Sequence, residues 1–317
     1  MNPKATYILV VVLSIVLPIL LYFFIVSSFK NNTAQNTENE YNPLGLSSSI
    51  EKEPVKLLFV GDIMLDRTIR KDGEQYGYSN LFSCLETTFS QYNSVIGNLE
   101  GTITSFESVS KDAGYEEPAS FKFTFDEQAV EALKVIGLDT VSIANNHIKD
   151  FGEEGVIQTV KNLNKLEIGF FGNPLSKQER WLIKDIDGVR VAYIPYNEFF
   201  GTKEEAFADL QSTIQSSDIQ IIFAHWGDEY VPVREDIKEL AHDFIESGAD
   251  LIIGAHPHVI QEKEIYKNKT IYYSLGNFIF DQYFQEDVTE GLAVGVEIFN
   301  NKIISFTDAV FAGKSGS

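Results

Sequence analysis

The chain has 317 residues, 44% of them hydrophobic, and sets 46 Asp and Glu against 25 Lys and Arg for a formal net charge of −21. That length and apolar content suffice for one large or two ordinary domains. The acidic balance excludes a nucleic-acid binder, because gripping a polyphosphate takes a basic footprint. Handling of any anionic polymer would fall to a local cation.

The chain opens with six residues carrying Lys4 and then an uncharged run from Tyr7 to Val26 rich in Ile, Leu, Val and Phe. At about 1.5 Å per residue this run matches the about 30 Å of a bilayer's hydrocarbon. It exceeds the about 7–15 residues of a signal-peptide core. We expect a retained transmembrane helix over 7–26 with residues 1–6 in the cytoplasm, the side the basic residues favour. This makes a single-pass cell-membrane protein with its domain on the extracytoplasmic side. Residues 27–54, polar and rich in Asn, Ser and Thr, read as a flexible tether. One α/β domain is expected over 55–311, and 312–317 form a tail.

Within that domain, apolar runs at Leu57–Val60, Ser94–Ile96, Val141–Ala144, Ile168–Phe171, Val191–Ile194, Ile219–Phe223, Leu251–Ile253 and Ile271–Tyr273 predict strands. Helices are expected near Leu81–Gln91, Asp126–Ile136, Gly152–Leu166, Lys203–Gln215 and Glu235–Ser247, the last with an apolar face of Ile237, Leu240, Ala241, Phe244 and Ile245. Hairpins are expected at Asp187-Gly188, around Lys267-Asn268-Lys269 and at Asn300-Asn301. The single cysteine, Cys84, rules out an internal disulfide; in the apolar run Leu81–Leu85 it is expected to be an inert core residue.

Chemistry concentrates where the runs end. Val60 leads into Gly61-Asp62, Ile96 into Gly97-Asn98-Leu99-Glu100-Gly101, Ala144 into Asn145-Asn146-His147, Ala224 into His225-Trp226-Gly227, and Ile253 into Gly254-Ala255-His256-Pro257-His258. Parallel strands would bring these ends to one edge, where ligands of open α/β sheets bind. Four of the five histidines lie at such ends; His242, mid-helix and off the apolar face, is expected to be solvated. Imidazole, carboxylate and carboxamide without thiolate suit Zn²⁺, Mn²⁺ or Fe²⁺. Such a Lewis acid would polarise a phosphoryl or acyl oxygen.

These clusters, together with Met64-Leu65-Asp66-Arg67 and Tyr273-Ser274-Leu275-Gly276-Asn277-Phe278, resemble in content and order the CapA family of capsule and poly-γ-glutamate synthesis proteins, within the calcineurin-like metallophosphatase superfamily. The resemblance implies a metallophosphatase-like sandwich of mixed β-sheets flanked by helices. It implies metal ligation by Asp62, Asn146, His225, His256 and His258, with His147 as acid near the substrate. Two departures stand out: Met64 replaces a ligand His, and Asn98 falls where the pattern has a bridging Asp, a role Glu100 is placed to take. One firmly held divalent ion is therefore expected, with the second position weakened. Asp62, His147 and Arg67 are the candidate catalytic residues, and Arg67, Asn145 and Asn277 the candidate substrate contacts; for Arg67 a surface salt bridge with Asp66 or Asp72 is the alternative.

The functional expectation is a membrane-anchored protein acting in synthesis or export of an anionic capsular polymer, poly-γ-glutamate by resemblance. Its partners would be that polymer and membrane-bound synthase or export subunits. Three alternatives stay open: a metal-dependent phosphoesterase or amide hydrolase on another envelope substrate, a metal-free Asp/His acid–base enzyme such as an epimerase, and a non-catalytic binding module.

Overall fold

Side chains alternate across a strand, and both faces of the central strands here are apolar, so each sheet has to be covered twice. The computed structural model describes residues 53–114 and 117–312. Among these, one seven-stranded sheet runs in the order β15 (Lys302–Ala312), β14 (Glu290–Phe299), β1 (Val55–Ile63), β2 (Ser94–Leu99), β5 (Leu138–Ser142), β6 (Gly169–Phe171), with β13 (Asn277–Ile279) also paired to β1. A six-stranded sheet runs β11 (Lys263–Tyr266), β12 (Lys269–Tyr272), β10 (Leu251–Ala255), β9 (Ile219–His225), β8 (Val189–Asn197), β7 (Leu182–Ile186). A small pair, β3 (Thr102–Ile103) and β4 (Thr124–Phe125), stands apart.

The faces sort by parity. Leu57 and Phe59 of β1 pack with Val191, Tyr193, Ile221, Phe223 and Ile253 of the second sheet, forming the layer between the sheets. Leu58 and Val60 point the other way, into a core with α4 (Glu127–Val135) and α5 (Gly152–Lys165). Ala192, Ile194 and Ile222 face α6 (Lys203–Thr213) and α7 (Glu235–Glu246), and α7 buries the expected Ile237, Leu240, Ala241, Phe244 and Ile245. The result is a sandwich of mixed sheets between helical layers, each large buried side chain contributing about 1.5–3 kcal/mol.

β1, β2, β5 and β6 are mutually parallel, as are β8, β9, β10 and β12, so each sheet gathers its strand ends on one edge. The Tyr273–Asn277 segment stitches the two edges together. Leu275 N donates to Gly254 O (3.0 Å) in the second sheet, and Asp62 N donates to Gly276 O (3.1 Å) in the first. This crossing is close enough to require Gly61 and Gly254, where an added Cβ would meet backbone oxygens at 1.9 Å. The three hairpins turn where expected, with positive φ at Asp187, Gly188, Lys267, Asn268, Asn300 and Asn301.

Two expectations need correction. The helix expected at Leu81–Gln91 is split into α2 (Tyr78–Phe82), a 3₁₀ turn (Ser83–Leu85) and α3 (Glu86–Phe89). The tighter turn changes the period, so Phe82 and Phe89 stay buried while Cys84 rotates into solvent instead of joining the core. α1 (Arg67–Tyr76) was not foreseen, because its polar sequence has no apolar stripe. Buried Asp66 caps it, accepting from Arg67 N (3.0 Å) as well as from Arg70 Nε (2.9 Å), Ser108 Oγ (2.6 Å) and Thr124 N (2.9 Å). The expected anchor at 7–26 and almost all of the tether lie outside the described residues. Among the described residues no helix is long and apolar enough to cross a membrane.

Candidate metal centre

The edge shared by the two sheets brings Asp62, Asn98 and Glu100 from the ends of β1 and β2 against His225, His256 and His258 from the ends of β9 and β10. All six are buried, and Asp62, Asn98 and Glu100 have no exposure at all. Asn98 Nδ2 donates to Asp62 Oδ1 (2.7 Å), and it lies 3.4 Å from Glu100 Oε2 and 3.2 Å from His225 Nδ1. His225 Nε2 meets Asn146 Oδ1 at 2.9 Å. Asp62 Oδ2 accepts from His256 N (3.1 Å) and lies 3.4 Å from His258 Nδ1.

Three groups of donors have their ligand atoms within 4.8 Å of one another: Glu100, His225 and His256; Asp62, Glu100 and His258; and Glu229, His256 and His258. Glu100 Oε1 is buried without a hydrogen-bond partner, yet it stands 3.7 Å from His258 Nε2 and 3.8 Å from His147 Nε2. Two ligands at about 2.0–2.2 Å from one ion stand at most about 4.4 Å apart, so these gaps have the size of a shared cation. His256 Nδ1 is likewise buried and unpartnered. An unmet buried acceptor is costly, and the donor set therefore fits a divalent ion.

Electrostatics agree. Burial, and then the neighbouring Asp62 carboxylate, push Glu100 well above the usual carboxylate range, an arrangement a cation would relieve. Burial, and then His256, hold His225 well below the ordinary imidazole value; burial and then His258 bring His256 down to about 4. Both rings are therefore neutral at pH 7, the form that ligates. His256 and His258 both adopt positive φ (97° and 58°) around Pro257, a local strain that splays the two rings.

Surrounding residues set orientation. Asn277 Nδ2 donates to Gln282 Oε1 (3.0 Å) and Val288 O (2.9 Å), so its Oδ1 accepts from His258 Nδ1 (2.9 Å) and leaves Nε2 facing Glu100. His147 Nδ1 pairs with Asp150 Oδ2 (2.9 Å), which also accepts from Phe123 N (2.8 Å), and Phe123 covers the imidazole with ring centroids 4.4 Å apart. Phe199 packs on His256 (4.6 Å) and His225 (5.8 Å).

Three expected substrate contacts also bond within the protein. Asn145 is fully buried; its Nδ2 donates to Leu99 O (2.8 Å) and Asn98 Oδ1 (3.2 Å), and its Oδ1 accepts from His147 N (3.1 Å). Asn277 Oδ1 is bonded to His258 Nδ1. Arg67 pairs with neither Asp66 nor Asp72: its guanidinium binds Asp281 and lies over Phe123 (5.1 Å) and Phe280 (5.4 Å). Met64, standing where the family pattern has a ligand, packs into the helix-side core and takes Asp66 N on its sulfur (3.0 Å). His242 is not simply solvated; it bonds Glu264 (2.8 Å) and stacks on Tyr266.

Sequence reasoning missed Asp150 and Glu229. Asp150 follows His147 by three residues, a spacing that could have flagged it. Glu229 lies four residues past His225 with no motif around it.

Comparison with known proteins agrees with this fold. The pattern of the family described as "Bacterial capsule synthesis protein PGA_cap" covers residues 56–282. The chain is 32% identical to "PGA biosynthesis protein CapA" of Bacillus subtilis (strain 168), over 71% of this chain and 63% of that protein. It is 29% identical to "Capsule biosynthesis protein CapA" of Bacillus anthracis, over 73% of this chain and 61% of that one. The match thus spans about three-fifths of the length of these curated relatives. A crystal structure of a hypothetical protein from Thermus thermophilus shares the fold, with TM-score 0.54, 14% identity, and coverage of 81% of this chain and 99% of that one. With the strand-end motifs, the two-sheet architecture and the match over residues 56–282 in agreement, the chain belongs to the bacterial capsule synthesis (PGA_cap, CapA) family, in the metallophosphatase-like superfamily.

Proposed function

We propose that this protein acts in the synthesis or export of an anionic capsular polymer of the poly-γ-glutamate kind, from the outer face of the cell membrane, through a metal-dependent hydrolytic site. The observation that carries the chemical part is Glu100 Oε1, a buried acceptor without a partner that faces two imidazole nitrogens. Asp62, Glu100, Asn146, His225, His256 and His258 would hold a divalent ion, Mn²⁺, Zn²⁺ or Fe²⁺. Bound there, the ion supplies Lewis-acid polarisation of a phosphoryl or acyl oxygen. Glu100 is common to two donor sets and would take the place of the family pattern's acidic ligand, where this chain has Asn98, a neutral amide. With Met64 withdrawn into the core, one ion would be held firmly and a second position would be weaker.

The chain's own proton chemistry sits on His147. Asp150 fixes Nδ1 as the protonated nitrogen, so Nε2 points to the Glu100 side and is placed to exchange a proton with the leaving group of a phosphoester or amide. The net charge of −21 disfavours an anionic polymer, so charge recognition would rest on the bound cation. Single-pass anchoring by residues 7–26 and association with membrane-bound synthase or export subunits complete the proposal.

Metal analysis of the purified full-length protein tests it. About one equivalent of Mn, Zn or Fe is expected, lost in the His225→Ala, His256→Ala double variant. A metal-free wild type whose cellular role still requires Asp62 would replace this reading with acid–base chemistry. Polymer production surviving Asp62→Ala, His225→Ala and His256→Ala together would leave only a binding role.

A further inference from the structure

Glu229 belongs to no motif and, unlike every other member of the three donor groups, is exposed. It is nevertheless held in place. The loop that leaves β9 at Trp226 is pinned where Gly227 N donates to Glu198 Oε2 (2.7 Å) and where Tyr230 N donates to Pro257 O (2.9 Å). Tyr230 takes a positive φ of 64° to make that second bond, and its ring lies 5.9 Å from that of His258. Between these two anchors the Glu229 carboxylate stands over His256 and His258, whose rings are only 4% and 2% exposed.

The three donor groups overlap in a particular way. The two buried groups share Glu100, a carboxylate with two oxygens that can serve two ions. The outer group shares His256 with one buried group and His258 with the other. An ion held by Glu229, His256 and His258 would therefore share one histidine with each inner group. Outer and inner positions are linked through these two rings, and only the outer group includes an exposed donor. Nδ1 of His256, a histidine common to the outer group and one inner group, is buried without a hydrogen-bond partner.

From this overlap we infer that Glu229, His256 and His258 form an entry site: an exposed two-imidazole, one-carboxylate station that captures a borderline divalent cation and passes it to the buried donors. The inference rests on the metal reading of the buried cluster proposed above. Two imidazoles and a carboxylate suit Zn²⁺, Mn²⁺ or Fe²⁺, and the chain's net charge of −21 favours cation approach. Because Glu229 releases the ion on transfer, it affects how fast the centre fills and empties, and leaves the final occupancy alone.

The test is metal uptake by full-length apo-protein mixed rapidly with Zn²⁺, followed by a fluorescent zinc indicator, with equilibrium metal content measured in parallel. Glu229→Gln should slow both uptake and release about tenfold and leave the equilibrium stoichiometry and affinity of the wild type. Glu229→Asp, which keeps the charge, should recover part of the rate. An unchanged rate in Glu229→Gln overturns the entry role. A fall in its equilibrium affinity also overturns it, by making Glu229 a permanent ligand. Wild-type protein that takes up no zinc, manganese or iron overturns the metal reading itself, and this inference with it.

Discussion

The first sheet ends its strands in Asp62, Asn98, Glu100 and Asn146, the second in His225, His256 and His258. One sheet thus brings oxygen and amide groups, the other brings imidazoles, and the donors face each other across the seam. Either sheet alone would offer a poor site: clustered carboxylates that repel, or three imidazoles with no carboxylate to balance a cation. His147 is the exception that marks a division of labour. It comes from the oxygen-bearing side, where Asp150 binds its Nδ1; in the proposed reading it would exchange protons while the other three rings would ligate.

Removing the one carboxylate common to both buried donor groups breaks this complementarity most severely. Glu100→Gln should lower metal affinity by about 100-fold or more by isothermal titration, since ligand losses exceed the about 10–100-fold of outer partners. The same substitution should leave the metal-free protein at least as stable in thermal melts, because it removes a buried carboxyl whose ionisation burial and Asp62 disfavour. A metal-free variant much less stable than wild type would show that Glu100 serves the fold.

A smaller effect is expected on the proton-handling side. Asp150→Asn should reduce turnover of a phosphoester or amide substrate by about 10–100-fold with metal content unchanged, and ¹⁵N spectra should show His147 losing its fixed tautomer. Metal loss in this variant would place His147 among the ligands.

The smallest effect sharpens the comparison through pH. His225 and His256 titrate lower in the folded state than in the unfolded chain. Between about pH 6.5 and about 4, the unfolded chain therefore takes up protons that the folded one refuses, and stability falls on acidification. Glu100 is shifted the opposite way, its folded value lying above its unfolded one, so protonating it recovers stability over the same descent. Metal-free wild type should show a shallow loss of Tm from pH 7 to 5, and metal-free Glu100→Gln a steeper one, at about 2–4 °C per kcal/mol. Parallel slopes would contradict the opposed shifts.

Much of this was legible along the chain. Strand-end motifs named the ligand-type residues, because a strand entering a loop must change from apolar to polar where it leaves the core. The Asp187-Gly188 and Asn300-Asn301 turns were readable from their tolerance of positive φ. Cys84 was misread, because a 3₁₀ turn shifts the face of a short helix without altering its composition. The bonds that Arg67 and Asn277 make within the protein were not legible, because a polar side chain near a site has the same sequence signature whether it faces a ligand or braces a neighbour. Glu229 carried no signal at all: two backbone hydrogen bonds, from Gly227 and Tyr230, bring it over the histidines.

Periodicity and strand-end polarity are local properties, and by themselves they indicated an α/β domain with mixed sheets and the identity of the donor-type residues, while the sandwich was implied by the resemblance to the CapA family. Which donors share an ion, which asparagines brace and which carboxylate stands in solvent were decided only by the tertiary structure. Those outcomes depend on the close crossing of Tyr273–Asn277 between Gly61 and Gly254, a contact that joins the first strand of the domain to a segment near its end. No local pattern encodes that approach.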